Sequence, residues 1–420
     1  MKYKNIVFFS PSKITGGAEY YFIRMAEYLA KIHNEYQIYY TEYENGFAKK
    51  IITNPRINFL DFDDGKKTII PGDSIICISL NFLIKMENIA SFNRKNSVIM
   101  MWFMHFRHLL CNFTFDNYYK VGTKTRMKVG QHLEKLSDLG VLKFLGNGAY
   151  FKMSQQFLFP YHPIDALPIP ISSEKYGIDI PVTREIGDVI SFCWLGRLDT
   201  EKSRNVITYM NELEQIHKRH KVSMSIIGIG PAEDYLKKKA KYYSFPIEFV
   251  GEKREDDLDS YIRKNVDIGL ASGTSSLEFG LRKVPVIQDW LLDKEYQAEA
   301  RDSYHLVGNT SLIIDNNTND LRYEGQGIFS DKLDDVLKDY HASCDRIFQY
   351  VLSRSTKVCG EKLFVALKKV ENVDLESCYS HIDSLNKLSV HARNSWMDKI
   401  HLRRIFVPIC KLLSVKPATI

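Results

Sequence analysis

Short apolar runs alternate with helix-like segments twice along this chain, and a stretch too rich in proline to belong to either series separates them. The first series runs Ile6 to Phe9, a helical Tyr20 to Ile32, Tyr36 to Tyr40, Ile75 to Ile78 and Val98 to Trp102. Such alternation predicts a parallel sheet covered by helices. Pro160, Pro163, Pro168, Pro170 and Pro181 follow, a density that neither a helix interior nor a central strand admits. The alternation then restarts with Val189 to Leu195, a helix around Arg204 to Arg219, Val222 to Ile227, a helix around Ala232 to Tyr242, Ile247 to Val250, Asp267 to Leu270 and Val284 to Ile287. From Asp331 to about Val373 the pattern is helical, with Leu333, Val336, Leu337, Tyr340 and Cys344 at three-to-four spacing. The expected organisation is a Rossmann-like domain over 1–165, a linker over 166–185, a second Rossmann-like domain over 186–345 and C-terminal helices over 346–420.

Length and composition agree with two cores. A chain of 420 residues, 45% apolar and 26% charged, suffices for domains of roughly 150–200 residues each. The longest apolar run, Val98 to Phe106, is too short to cross a bilayer. Met1 to Asn5 passes directly into the strand-like Ile6 to Phe9 with no cleavage region, so a cytoplasmic protein is expected. The seven cysteines show no CxxC pair or metal-ligand spacing and read as reduced thiols. A net charge of +6 argues against nucleic acid as a partner and leaves room for local basic surfaces at Lys120 to Lys128 and Lys387 to Lys416. In the second, Ile400, Leu402, Ile405, Phe406 and Ile409 lie among basic residues, and Pro408 interrupts them. Two readings stay open there: a packed helix pair, or a peripheral contact with the anionic inner face of a membrane.

The chemistry-bearing motifs sit after strands. Trp194-Leu195-Gly196-Arg197-Leu198-Asp199-Thr200-Glu201-Lys202 follows the first strand of the second domain. A glycine there lets the backbone turn, and Arg197 and Lys202 can converge on a diphosphate at the strand ends. Alone, the pair is ordinary surface decoration. Ile226-Ile227-Gly228-Ile229-Gly230-Pro231 and Phe249-Val250-Gly251 repeat the strand-to-glycine pattern, and Ala271-Ser272-Gly273-Thr274-Ser275-Ser276-Leu277-Glu278 leads into a helix before Val284 to Ile287. Small residues at a helix N-terminus leave backbone N–H groups for phosphate oxygens, and Glu278, one turn in, can accept hydrogen bonds from vicinal ribose hydroxyls. The competing reading of Glu278 is a carboxylate that complements the helix dipole.

These four elements, in this order, resemble the nucleotide-sugar domain of retaining GT-B glycosyltransferases, above all the large family 4 group, well over Ile190 to Ile287 and loosely elsewhere. The resemblance implies two Rossmann-like domains facing across a cleft, with C-terminal helices crossing back to the first domain. It implies a retaining, metal-independent, hexosyltransferase-like enzyme that moves a sugar from a UDP-sugar or GDP-sugar, with no further cofactor, to a glycan or lipid-linked acceptor, as in bacterial surface polysaccharide synthesis. It makes Arg197, Lys202 and His105 catalytic and Gly16, Gly17, Gly196, Gly228, Gly251, Gly273, Thr274, Ser275 and Glu278 donor-binding. The family usually carries two glutamates eight positions apart. Glu278 matches the second by its distance from Pro285, and Leu270 stands where the first would be.

In the first domain, Pro11 to Glu19 joins strand to helix and carries Gly16-Gly17-Ala18-Glu19, similar to the family's glycine-rich loop; it is not GxGxxG, so a nicotinamide cofactor is poorly supported. For these glycines a turn needing positive φ is an equal reading. His105 after the strand Val98 to Met104 is similar to a histidine that relatives place near the acceptor, and is equally readable as structural; Glu19, Arg107 and His108 are weaker candidates. Asp61-Phe62-Asp63 spells the acidic triplet of metal-dependent transferases of another fold, but Asp64-Gly65 makes it a turn, and no metal site is assigned. The rival functions are a nucleotide-sugar epimerase, which needs more carboxylates, and a catalytically silent GT-B scaffold.

Overall fold

The computed structural model describes residues 2–13, 17–104, 122–162, 164–173, 185–200, 202–289, 304–308, 312–315, 320–323 and 326–392. The chain divides into two compact units, Met1–Pro168 with Cys359–Ile420, and Ile169–Val358.

In the first unit, the elements follow as β1 (Asn5–Phe9), α1 (Gly17–Ile32), β2 (Gln37–Glu42), α2 (Phe47–Ile51), β3 (Ile57–Asp61), β4 (Thr68–Ile69), β5 (Ser74–Ser79), α3 (Met86–Ile89), β6 (Ala90–Ser91), β7 (Val98–Phe103), α4 (Thr123–Asp138), β8 (Leu142–Phe144) and α5 (Asn147–Phe157). The main sheet has the order β3-β2-β1-β5-β7-β8, every pair parallel. All residues of β5 and β7 are buried, as strands covered on both faces must be. Tyr21, Phe22, Met25, Ala26 and Leu29 form the buried stripe of α1, with Glu19 in its first turn and Lys31 in its last, where each suits the helix dipole. The indole of Trp102 donates to the Tyr21 hydroxyl at 2.9 Å, satisfying a polar group that burial would otherwise penalise.

The second unit holds β9 (Val189–Leu195), α6 (Lys202–His217), β10 (Lys221–Ile227), α7 (Glu233–Ala240), β11 (Ile247–Gly251), α8 (Glu255–Asn265), β12 (Ile268–Leu270), α9 (Thr274–Leu281), β13 (Val286–Asp289), β14 (Tyr304–Leu306), the hairpin β15 (Leu312–Asp315) and β16 (Asp320–Tyr323), α10 (Phe329–Lys338) and α11 (Tyr340–Leu352). Its main sheet runs β11-β10-β9-β12-β13-β14, parallel except for β14. Ile190, Phe192 and Trp194 pack on one face with Val206 and Leu213 of α6; Cys193 and Ile227 pack on the other with Leu258 and Ile262 of α8.

The helical stretch expected from Asp331 is broken where its capping chemistry breaks it. Asp339 ends α10 and its carboxylate accepts the Ala342 N–H at 2.9 Å to start α11. After the turn at Ser353 to Ser355 comes α12 (Thr356–Val370), then a last described helix, α13, over 375–392. Ile171, in the proline-rich stretch, exchanges backbone hydrogen bonds with Arg354 and Thr356 at 2.9 and 3.0 Å. The unit boundary at Val358 and Cys359 falls inside α12. From Gly360 onward this helix lies on α1: the Gly360 position has no room for a Cβ beside the Tyr28 ring, Tyr28 donates to Glu361 at 2.6 Å, Tyr36 to Glu371 at 2.9 Å, and His33 stacks on Phe364. The strands β8, β14, β15 and β16 have no counterpart in the sequence reading; at three or four residues each, they carry too little pattern to separate from loop.

Candidate functional site

Each main sheet reverses its order beside its first strand. In the second unit β9 lies between β10 and β12, so the loops leaving β9 and β12 diverge and open a crevice at the carboxyl ends of the strands. Register pairs Leu270 with Trp194, which sets the beginnings of these two loops side by side. One carries Arg197 and Lys202; the other carries Gly273, Thr274 and Ser275.

On the β9 side, Asp199 organises both cations. Its carboxylate accepts the Lys202 backbone N–H at 2.8 Å, its carbonyl accepts that of Ser203 at 2.9 Å, and its second oxygen lies 3.5 Å from the Arg197 guanidinium. Asp199 thus caps the first turn of α6 while holding an arginine that is otherwise exposed. In sequence Asp199 carries only a weak signal, Asp-x-x-Lys at the start of a helical pattern.

The predicted glycines serve the scaffold first. The loop after β9 continues alongside the loop after β10: Gly196 donates to Ile227 at 3.1 Å, Leu198 to Ile229 at 3.0 Å, and Ala232 to Leu198 at 2.8 Å. A Cβ on Gly228 would stand 1.9 Å from the Gly196 carbonyl oxygen, and Gly228 has φ of 143°, so only glycine lets the loops close. Gly251 also has positive φ, 81°, but faces open space and receives the Gly228 N–H at 2.9 Å.

On the β12 side, Leu270 is wholly buried as the last residue of its strand, and only Ala271, Ser272 and Gly273 lead to α9. Gly273, at φ 64°, is the N-cap of α9 and offers no side chain to its first N–H groups. Thr274 and Ser275 are half-buried in that first turn, and Ser276 donates to Gln288 at 3.1 Å. Glu278 pairs with Arg282 at 3.0 Å; that guanidinium is 2% exposed and also meets Asp259 at 3.1 Å, which in turn holds Arg263 at 3.0 Å. The ion-pair chain fixes the carboxylate of Glu278 on α9, an arrangement invisible in sequence because Asp259 sits on α8.

In the first unit, the equivalent switch point lies between β1 and β5, and Pro11 and Ser12 follow β1 there. Gly17 opens α1, with Glu19 half-buried two residues on; Gly16, His105, Arg107 and His108 lie outside the described residues. The residue that sequence missed is Glu42, 1% exposed at the end of β2, whose carboxylate accepts the backbone N–H groups of Ser12 at 3.0 Å, Tyr43 at 2.9 Å and Ala48 at 2.9 Å. It anchors the start of the glycine-rich loop. Nothing in the sequence separates it from a surface glutamate. Asp61 pairs with Lys49, Asp63 accepts the Gly65 N–H, and Asp64 takes Lys13 and the Tyr43 hydroxyl at 2.9 and 2.8 Å, so each acidic group has a local partner. Those two hydrogen bonds hold the Asp64 carboxyl below its usual pKa.

These two switch-point sheets with helices returning to the first unit match solved structures. A glycosyltransferase from Rickettsia africae ESF-5 superposes at TM-score 0.56 and 11% identity over 88% of this chain and 99% of that one. The lipopolysaccharide outer core galactosyltransferase WaaB matches at 0.52, 11% identity, over 87% and 99%. OtsA matches at 0.51, 10% identity, over 87% and 99%. The fold is that of the GT-B glycosyltransferases. At these identities the likeness establishes the fold alone. No protein-family model matches the chain, and no curated protein does. Among the described residues no helix is long and apolar enough to cross a membrane.

Proposed function

We propose that the chain is a retaining glycosyltransferase that moves a sugar from a UDP-sugar or GDP-sugar to a glycan or lipid-linked acceptor of a bacterial surface polysaccharide. The observation that carries this reading is the pairing at the switch point of the second sheet: the Asp199-ordered Arg197 and Lys202 after β9, beside a Gly273-capped helix start after β12. Two cations and a helix N-terminus suit a diphosphate whose negative charge grows as the glycosidic bond breaks. In this reading Thr274 and Ser275 address the sugar in place of the carboxylate that Leu270 replaces, Glu278 holds the ribose, Gly16 and Gly17 approach the donor, and His105 belongs to the acceptor side. Departure of the diphosphate in a retaining reaction leaves a phosphate oxygen able to take the acceptor proton, so no metal and no protein base is required. The lipopolysaccharide galactosyltransferase among the structural matches supports the polysaccharide assignment by analogy of fold.

The test is thermal stabilisation of the purified chain by UDP, GDP, ADP, CMP and NAD, repeated with Arg197→Ala. One nucleoside diphosphate at about 100 times its Kd should stabilise the wild type by about 2.7 kcal/mol and the variant much less. Stabilisation by NAD, or by none, would overturn the reading; binding without sugar transfer would leave a silent scaffold, for which the buried Leu270 is the supporting observation.

A further inference from the structure

On one face of the second unit's sheet, the central strands depart from the apolar pattern that a covered parallel sheet requires. Where β9 and β10 approach the crevice, their residues on the α8 face are apolar, and Cys193 and Ile227 pack on Leu258 and Ile262. Toward the amino ends of the same strands, on the same face, stand Ser191, Ser223 and Ser225, with Glu248 of β11 beside them. Register places them together: Ser191 pairs with Ser223, and Ser225 with Glu248. Helix α8 meets this face with two stripes at four-residue spacing, Leu258 with Ile262 over the apolar half and Tyr261 with Asn265 over the polar half. Between the serines and the polar stripe lies a cavity of about 330 Å³, at the lower end of the range that small-molecule sites occupy.

Neither ordinary role of a strand residue accounts for this lining. A face covered by a helix calls for Val, Ile or Leu, and a plainly solvated face tolerates longer polar side chains that would fill the space. Serine is short, so three of them keep the cavity open. Their hydrogen bonds are loose: Ser223 donates to Ser191 at 3.4 Å, and Ser225 to the Phe192 carbonyl at 3.4 Å. Hydroxyls ordinarily settle at about 2.7–2.8 Å, so a better partner could draw these away. The Tyr261 hydroxyl meets the side chains of Ser225 and Glu248, and burial raises its pKa, so it keeps the proton it can donate. Asn265, whose amide donates to the Tyr261 carbonyl at 3.0 Å, stands at the exposed rim with Glu248. Four hydroxyls that can each donate or accept, an amide and a carboxylate line the space, and among the described residues no lysine or arginine does. That composition disfavours an anion and suits a ligand built of hydroxyl groups, each of which both donates and accepts.

We propose that this cavity is a saccharide-binding site separate from the crevice, which holds one uncharged sugar residue by its hydroxyls, with Glu248 accepting from a vicinal pair. The ligand class follows from the lining itself, so the site stands whether or not the crevice binds a nucleotide. Free galactose, glucose, N-acetylglucosamine and rhamnose, each up to about 20 mM, serve as probes in saturation-transfer NMR on the full chain. At least one of them should receive saturation from the wild type, and equally from Arg197→Ala. Glu248→Ala should weaken its binding about tenfold or more, because bonds to a charged acceptor are the strong ones. Tyr261→Phe should weaken it about fivefold. Ser191→Val with Ser223→Val fills the cavity with residues that suit a strand, so binding should be lost while the melting temperature holds or rises. If that double variant fails to fold, Glu248→Ala and Tyr261→Phe decide the matter. Saturation transfer to none of the four sugars would overturn the proposal. So would transfer that survives all of these cavity changes, or that disappears in Arg197→Ala and thereby belongs to the crevice.

Discussion

Gly228 and Gly196 meet backbone to backbone, with the Gly196 carbonyl oxygen 1.9 Å from where a Gly228 Cβ would stand. Gly228→Ala must therefore move the loop after β10 off the loop after β9, and it should cost about 3 kcal/mol or more of stability. Gly251→Ala meets nothing within 4 Å and carries only the cost of its positive φ, about 1–2 kcal/mol. Chemical denaturation of the two variants checks this, and equal losses would contradict the contact.

Asp199 has two functions that substitutions separate. Asp199→Asn retains a side-chain oxygen for the Lys202 N–H but loses the charge beside Arg197, so melting should hold while turnover falls. Asp199→Ala should lose about 1 kcal/mol of stability as well. Calorimetry and a transfer assay on the same preparations distinguish the cap from the ion pair.

Removing Glu278 takes one of its ion-pair partners from the buried Arg282, which still meets Asp259. Glu278→Ala should cost about 1–3 kcal/mol and abolish most nucleotide-induced stabilisation. A loss of stability with the nucleotide response intact would confine Glu278 to its ion pair and remove it from the ribose.

Burial pushes the His305 imidazole down to about pH 4 in the folded chain, against 6.5 when free. The unfolded chain then binds a proton that the folded chain refuses, so this contribution to stability is complete above pH 6.5 and is lost as pH falls toward 4, about 3 kcal/mol in all. His305→Gln should flatten the acid limb of a pH–stability curve in that window. An unchanged slope would place the acid sensitivity elsewhere.

The arrangement of the candidate site was legible only in part. Strand-then-glycine patterns located the loops after β9, β10 and β12, because a glycine directly after an apolar run is a local signal. Their partners were not, because Asp259 reaches Arg282 from another helix and Glu42 takes Ser12 from another strand. A carboxylate satisfied by three backbone N–H groups looks, in sequence, like any surface glutamate.

By itself the sequence determined that two sheets form, since apolar periodicity acts over a few neighbouring residues. Only the tertiary structure decided that β9 lies between β10 and β12, which makes one pair of loops, and no other, meet at the switch point of the second sheet. It also decided that α12 returns to the first unit, where Tyr28 finds Glu361 across 333 residues of chain. Such pairings depend on which surfaces are left uncovered once the sheets have formed, and no local pattern records that.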